Sequence, residues 1–480
     1  MLAVKLDKRV VAALVAVAAS LYGLMLFLHR STAAGSADSS GYLNEARMMA
    51  AGKTSLPIRL LSTLHLPSEF AYIFTPLGFA PSRRHPGRMV PTYPPGLPAH
   101  FAIAGSVGGW SQAPFLMPVI AGLLSIALLF VLSRQFGLSA WQSGAASAIL
   151  AVCPVFLFMT AQPMSDVFAT AWTLASIVCA IAAERKPAFA ALAGAAFGIS
   201  VCVRPSNLLA ALAVAFALRW RPSRLAIAIA AAIPFAIALM SWNYALYDNP
   251  IVTGYGEFGG LLSWAHPRVR LQHYSYWLAA QLTPFVFPGG LLAGFDRRID
   301  PFRRAVLVFW FLPFFTFYCF YGPYETWWYT RFLLPAIPPL IVGFLLLIRN
   351  VRVGMAAFLV IVILFIAVRQ DRRSLKPLNV GHEESIYPEI AARFGPKLPR
   401  DAIIMSGLFS GSLLYYLDRD CVRYDQLDND RFQLLRAYAA NANLHWYAVL
   451  PQHEWAEAQR FDAHWKKVDE YRGVLLLRLE

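Results

Sequence analysis

Eleven stretches of this chain are apolar for long enough to cross a bilayer, at about 10–28, 114–133, 140–160, 167–183, 188–203, 206–218, 225–245, 275–295, 304–321, 332–348 and 353–368. A crossing helix takes roughly 20 apolar residues, fewer where snorkelling side chains pin its ends. Hydrocarbon leaves no water for an open backbone, so such stretches commit a chain to helices. Composition agrees: 58% of the 480 residues are hydrophobic and 14% are charged, with a mean hydropathy of +0.50. That excludes a soluble domain and points to a mainly α-helical polytopic membrane protein.

The formal charge of +15 does not indicate nucleic acid, because Lys and Arg sit in short clusters between apolar runs. Such clusters are topology signals. Lys5, Lys8 and Arg9 precede a first run too long for a signal-peptide core, which reads as a retained span. The stretch 188–218 divides at Arg204-Pro205-Ser206-Asn207, because Glu184-Arg185-Lys186 and Arg219, Arg221 and Arg224 then lie on one side. The same parity holds along the chain if 98–109 dips into the outer leaflet without crossing. The N-terminus is then cytoplasmic, and the segments 29–113, 161–166, 204–207, 246–274, 322–331 and 369–480 are external. Arg369, Arg372, Arg373 and Lys376 land outside, against the charge bias, ahead of a domain long enough to be translocated regardless.

Residues 1–376 form the membrane domain, with an external loop at 29–97, and 377–480 form a small extracytoplasmic α/β domain. In the latter, 402–405, 446–450 and 474–477 read as buried strands and 411–417, 431–440 and 454–461 as helices. It carries no GxGxxG, P-loop or metal spacing, and the five cysteines make no disulfide framework. No cofactor and no metal are expected.

This topology gathers Asp38, Arg88, Tyr93, Asp166, Arg204, Tyr255, Glu257, Glu325, Trp327, Trp328 and Arg331 on the outer face. Each has an ordinary alternative. Asp38, Ser39 or Ser40 can cap the helix that follows, with Gly52 closing it. That helix puts Tyr42, Leu43, Ala46, Met49 and Ala50 on one face and Asn44, Glu45, Arg47 and Lys53 near the other, which suits an interfacial helix. Asp166 opens a span, where the helix dipole favours a carboxylate. Trp327 and Trp328 suit an aromatic belt, or sugar stacking beside Arg331. Arg204 and Arg331 are more telling, since outer cations run against the positive-inside bias and a guanidinium fork matches phosphate.

Together these segments resemble the GT-C glycosyltransferases, the superfamily of protein O-mannosyltransferases and aminoarabinose transferases. The likeness rests on an acid after span one followed by Tyr42-Leu43...Ala46, on Tyr93-Pro94-Pro95-Gly96, and on Ser165-Asp166. It extends to Asn243-Tyr244...Asn249-Pro250...Thr253-Gly254-Tyr255 and Trp327-Trp328-Tyr329-Thr330-Arg331-Phe332-Leu333-Leu334-Pro335. The resemblance implies an enzyme of a bacterial inner membrane that takes a sugar from a polyprenyl-phosphate donor and gives it to a glycolipid, polysaccharide or protein, with inversion. Asp38 matches the catalytic base, with Asp166 as a second acidic candidate. Arg204, Arg331, Arg88 and Tyr93 fall to the donor phosphate, and Tyr255, Glu257, Glu325, Trp327 and Trp328 to the sugar or acceptor. Two departures keep either subfamily's substrate from carrying over: Tyr93 stands where aminoarabinose transferases have Lys, and Ser39 follows Asp38 where O-mannosyltransferases have a second acid. A lipid-linked sugar flippase would place ionisable residues deep within its spans. A polymerase or ligase acting on a lipid diphosphate would rely on external Arg and His in place of Asp38.

Overall fold

A computed structural model describes residues 8–255, 262–322, 325–461 and 463–480. The apolar stretches are helical. Among the described residues five helices are long and apolar enough to cross a membrane unaided: Ala113–Gln135, Ser165–Ala182, Pro222–Tyr247, Pro301–Phe320 and the run Val353–Leu375. Three bent helix pairs bring the number to eight if each is counted as one span, and Ala13–His29, Ala188–Val203 and Pro205–Ala217 are shorter apolar helices. The Pro222–Tyr247 helix has only 6% of its apolar window buried, whereas Ser165–Ala182 has 78%. An apolar surface with no protein against it is what lipid covers, so the first sits at the rim of the bundle and the second at its centre.

The bends have local causes. Ala140–Ala151 and Pro154–Thr160 meet at 68°, where Pro154 lacks an amide to continue the helix. The stretch expected as one span over 275–295 is two helices, Pro267–Gln281 and the run Thr283–Phe295, at 116°. Thr283 there takes a φ of 67°, a left-handed conformation that no straight helix contains. Apolar length could not show this corner, because the expected stretch begins in the apolar end of the first arm, Tyr276-Trp277-Leu278-Ala279-Ala280, and runs straight into the second.

The segment 98–109 is a helix, Gly96–Gly108, too short to span. It packs on the helix that follows the first span, Ala37–Ala50. That second helix departs from expectation in two ways. Its N-cap is Ser36, without a side-chain hydrogen bond, so Asp38 lies inside the first turn and is no cap. Nor does it float in the interface, because Ser39 through Ala46 are all buried. The C-terminal domain covers the polar face: Asn44 donates to the Gly411 carbonyl at 2.8 Å and Arg47 to the Tyr415 carbonyl at 2.6 Å. Sequence periodicity assigns such a face to water because it cannot see a partner some 370 residues away. Glu45 is 0% exposed; burial raises its carboxyl well above the ordinary glutamate value against the pull of the Trp242 indole.

The C-terminal domain holds a five-stranded sheet. Cys421–Val422, Ala402–Met405 and His445–Pro451 run parallel, and Val474–Leu479 and Trp465–Tyr471 complete it antiparallel. Trp465–Tyr471 escapes sequence reading because it is a charged edge strand, Trp-Lys-Lys-Val-Asp-Glu-Tyr, with little burial. A small three-stranded sheet, Leu56–Pro57, Arg88–Pro91 and Phe79–Pro81, lies in the long loop after span one. The loop and the domain share one hydrophobic core, with Ile58, Leu61 and Phe74 of the loop in the same cluster as Ile403, Phe432 and Leu450. Arg59 donates twice to Asp420 Oδ1, through Nε at 3.0 Å and a terminal nitrogen at 2.7 Å.

Candidate active site

Four charged side chains meet on the walls of one cavity of about 250 Å³: Asp38, Asp166, Arg204 and Arg331. Each is delivered by a different element. Asp38 sits in the first turn of Ala37–Ala50 and Asp166 in the first turn of Ser165–Ala182, where the positive end of the helix dipole favours an anion. Arg204 stands at the break between Ala188–Val203 and the 3-10 turn Pro205–Ala210, with an extended backbone at φ −150° and ψ 106°. Pro205 dictates that break, since it disfavours the helical conformation in the residue before it. Arg331 lies in the 3-10 stretch Trp327–Ala336.

The charges pair crosswise. Arg331 donates to Asp38 Oδ2 at 2.8 Å, and Arg204 makes a close ion pair with Asp166. The Tyr93 hydroxyl donates to Asp38 Oδ1 at 2.7 Å, so both carboxylate oxygens of Asp38 are engaged. Burial pushes the Asp38 carboxyl up, but the Arg331 charge, the Tyr93 hydroxyl and the more distant Arg204 outweigh it and hold the group below the ordinary aspartate value. Burial, then the Asp38 charge, raise the Tyr93 phenol well above its usual value, which keeps it a neutral donor. The Asp38 side chain remains 27% exposed and that of Asp166 only 1%. A reactant can therefore reach the first and not the second.

Two glycines make this approach possible. A Cβ on Gly41 would lie 2.3 Å from the Tyr93 ring, and one on Gly96 would lie 2.3 Å from the Val203 amide. The first lets Tyr93 cross the Ala37–Ala50 helix to reach Asp38, its ring 4.4 Å from that of Tyr42. The second seats the Tyr93-Pro94-Pro95-Gly96 turn against the end of the helix that presents Arg204.

Tyr255 also lines the cavity, its ring 6.1 Å from that of Tyr93. Other candidates are placed elsewhere. Arg88 is held by Ser55, through Nε at 2.7 Å and a terminal nitrogen at 2.8 Å, and does not line the cavity. Trp327 and Trp328 lie 5.2 and 6.1 Å from the Phe158 ring and are absent from the cavity wall. Glu325 is exposed and also off the wall, and Glu257 lies outside the described residues. Sequence reasoning missed Tyr318, Tyr321 and Phe332, which complete the lining. Tyr318 stacks on Phe332 at 5.1 Å and donates to Ser206 at 2.8 Å; in sequence it is one aromatic among many in an apolar run. Among the described residues no cluster of His, Cys, Asp or Glu could hold a metal ion.

A membrane bundle whose long loop after span one packs against a C-terminal sheet domain is also the fold of solved glycosyltransferases, and the chain shares that fold. Among solved structures it is similar to ArnT, the aminoarabinose transferase of Cupriavidus metallidurans, bound to undecaprenyl phosphate, with a TM-score of 0.61, 14% identity, and coverage of 97% of this chain and 98% of that one. The apo form of the same protein gives 0.59 at 13% identity, covering 98% of each chain. The oligosaccharyltransferase AglB of Archaeoglobus fulgidus, in complex with an inhibitory peptide and a dolichol-phosphate, gives 0.50 at 11% identity, covering 96% of this chain and 76% of that one. No protein-family model matches the chain, and no curated protein matches it in sequence.

Proposed function

We propose that this protein is a membrane glycosyltransferase that moves a sugar from a polyprenyl-phosphate donor to an acceptor hydroxyl on a glycolipid, polysaccharide or protein outside the membrane. The observation that carries the reading is the pairing, on one cavity wall, of an accessible carboxylate, Asp38, with two guanidinium groups, Arg331 and Arg204. Structural neighbours solved with undecaprenyl phosphate and with a dolichol-phosphate support it.

The reaction is a direct displacement with inversion and without a metal. Asp38 accepts the proton of the acceptor hydroxyl. The acceptor oxygen bonds to the anomeric carbon as the bond from that carbon to the phosphate oxygen breaks. The lipid phosphate leaves with the electron pair, its growing charge met by the guanidinium groups.

The resting geometry bears on this scheme. With Arg331 and Tyr93 bound, Asp38 is a poor base. A donor phosphate competes for Arg331, and each hydrogen bond it takes from Asp38 removes a cause of the lowered pKa while burial continues to raise it. Donor binding thus arms the base. Asp166, almost fully buried, keeps Arg204 in position.

The deciding experiment is mass spectrometry of lipid carried through purification of the full chain, followed by titration with undecaprenyl phosphate. A retained polyprenyl phosphate or its glycoside, and thermal stabilisation by the added lipid, are expected. No retained carrier lipid and no stabilisation would overturn the reading.

A further inference from the structure

A second cavity, of about 500 Å³, shares no lining residue with the site above. It lies where the Lys8–His29 helix, the bend between Ala140–Ala151 and Pro154–Thr160, and the end of Val353–Gln370 come together. Its walls are mostly apolar, with Met25, Leu157 and Val368 facing in. Asp371, Arg372 and Lys376 also line it.

Of these three, among the described residues, the buried acid lacks a partner and the two cations are exposed and unpaired. Asp371 is 9% exposed, and its Oδ1 is buried without a hydrogen-bond partner. Among the described residues neither Arg372 nor Lys376 is paired, although both stand within five positions of the acid. The backbone accounts for this. The helix Val353–Gln370 ends in a π-turn over Asp371–Leu375, closed by the Lys376 amide donating to the Asp371 carbonyl at 2.7 Å, and Lys376 then turns left-handed at φ 44°. The turn sets the acid inward and the two cations at the exposed rim.

A buried carboxylate without a partner is costly and calls for a hydrogen-bonding cation. Two free cations beside it, at the end of an apolar helix where headgroups begin, call for an anion. We infer that this cavity is a binding site for a phospholipid whose headgroup carries both a phosphate and a primary ammonium, as phosphatidylethanolamine does. The ammonium donates to Asp371, the phosphate lies between Arg372 and Lys376, and an acyl chain follows the apolar wall of Met25, Leu157 and Val368. A choline headgroup has no N–H to give Asp371, and a glycerol headgroup has no cation.

The test is native mass spectrometry of the full chain released from nanodiscs that contain phosphatidylethanolamine, phosphatidylcholine and phosphatidylglycerol with matched acyl chains. The wild-type chain should retain the ethanolamine lipid about tenfold over the choline lipid, the worth of one charge-assisted hydrogen bond. Asp371→Asn should erase that preference at unchanged melting temperature, and Arg372→Ala with Lys376→Ala should lower retention of all three lipids. Equal retention of the ethanolamine and choline lipids by the wild-type chain would overturn the inference, and that comparison needs no variant to fold. So would an unchanged preference in Asp371→Asn, or displacement of the ethanolamine lipid by undecaprenyl phosphate, which would make the cavity part of the donor path.

Discussion

Arg331 holds Asp38 at 2.8 Å across 293 positions of sequence. The contact joins the helix Ala37–Ala50 to the stretch before the penultimate apolar run, and its two partners carry opposite tasks in the proposed reaction. One accepts a proton and the other steadies a leaving phosphate, so the resting ion pair has to be broken for either to act.

Asp38→Asn should leave the fold and donor binding intact and lower transfer at least about 100-fold, since only proton acceptance is lost. Turnover of a polyprenyl-phosphate sugar by the purified variant measures this. Wild-type rates would remove Asp38 from the base position.

Arg331→Ala should separate binding from basicity. Donor affinity should fall about tenfold with the loss of a charge-assisted bond. The acid limb of the kcat/KM profile should move to higher pH, because the cation that lowers the Asp38 pKa is gone while burial still raises it. A limb that stays put or moves to lower pH contradicts the electrostatic account.

Asp166→Ala should cost about 3–5 kcal/mol of stability, because it strands the mostly buried Arg204 without its partner. Removing both, as Asp166→Ala with Arg204→Met, should be less destabilising than the single change, yet equally inactive. Thermal unfolding in detergent, with activity alongside, distinguishes a pair that positions from one that only stabilises.

Asn44→Leu should weaken the seam between the first external helix and the C-terminal domain. It leaves the Gly411 carbonyl without its donor, a loss of about 1–3 kcal/mol. Protease sensitivity of the seam should rise and transfer should fall, although Asn44 does not line the cavity.

Cysteine labelling tests the orientation. Thr54, Lys186 and Gln426 are exposed, so cysteines there report their side directly. Impermeant reagent should reach positions 54 and 426 from outside in intact cells and position 186 only after lysis.

The helical class, the break at Arg204 and the α/β character of the last hundred residues were legible because each has a local signature: apolar length, a Pro after a polar residue, and short strands alternating with helices. Asp38, Asp166, Arg204 and Arg331 fall among the eleven residues that charge parity gathers on one face, a set that also holds Arg88, Glu325, Trp327 and Trp328, which do not line the cavity. The pairing of the first four could not be read there, because no local rule relates residue 38 to residue 331. Arg88 was misplaced for a related reason. Its nearness in sequence to Tyr93 suggests a shared site, but Tyr93 lies beyond the end of the Arg88–Pro91 strand, and Ser55 holds the Arg88 guanidinium. The aromatic pair Trp327 and Trp328 was equally opaque, since a belt, a sugar platform and packing on Phe158 share one composition.

The core common to the loop after span one and the C-terminal sheet sets an order of events in biosynthesis. Ile58, Leu61 and Phe74 leave the ribosome early, and the strands that cover them are made more than three hundred residues later. Throughout that interval the loop waits with apolar side chains uncovered, a long-range contact of the kind that folds slowly and invites capture by chaperones or proteases. A chain interrupted before the last strand would therefore be an efficient substrate for quality control, and the cell would hold little half-made protein with an open site.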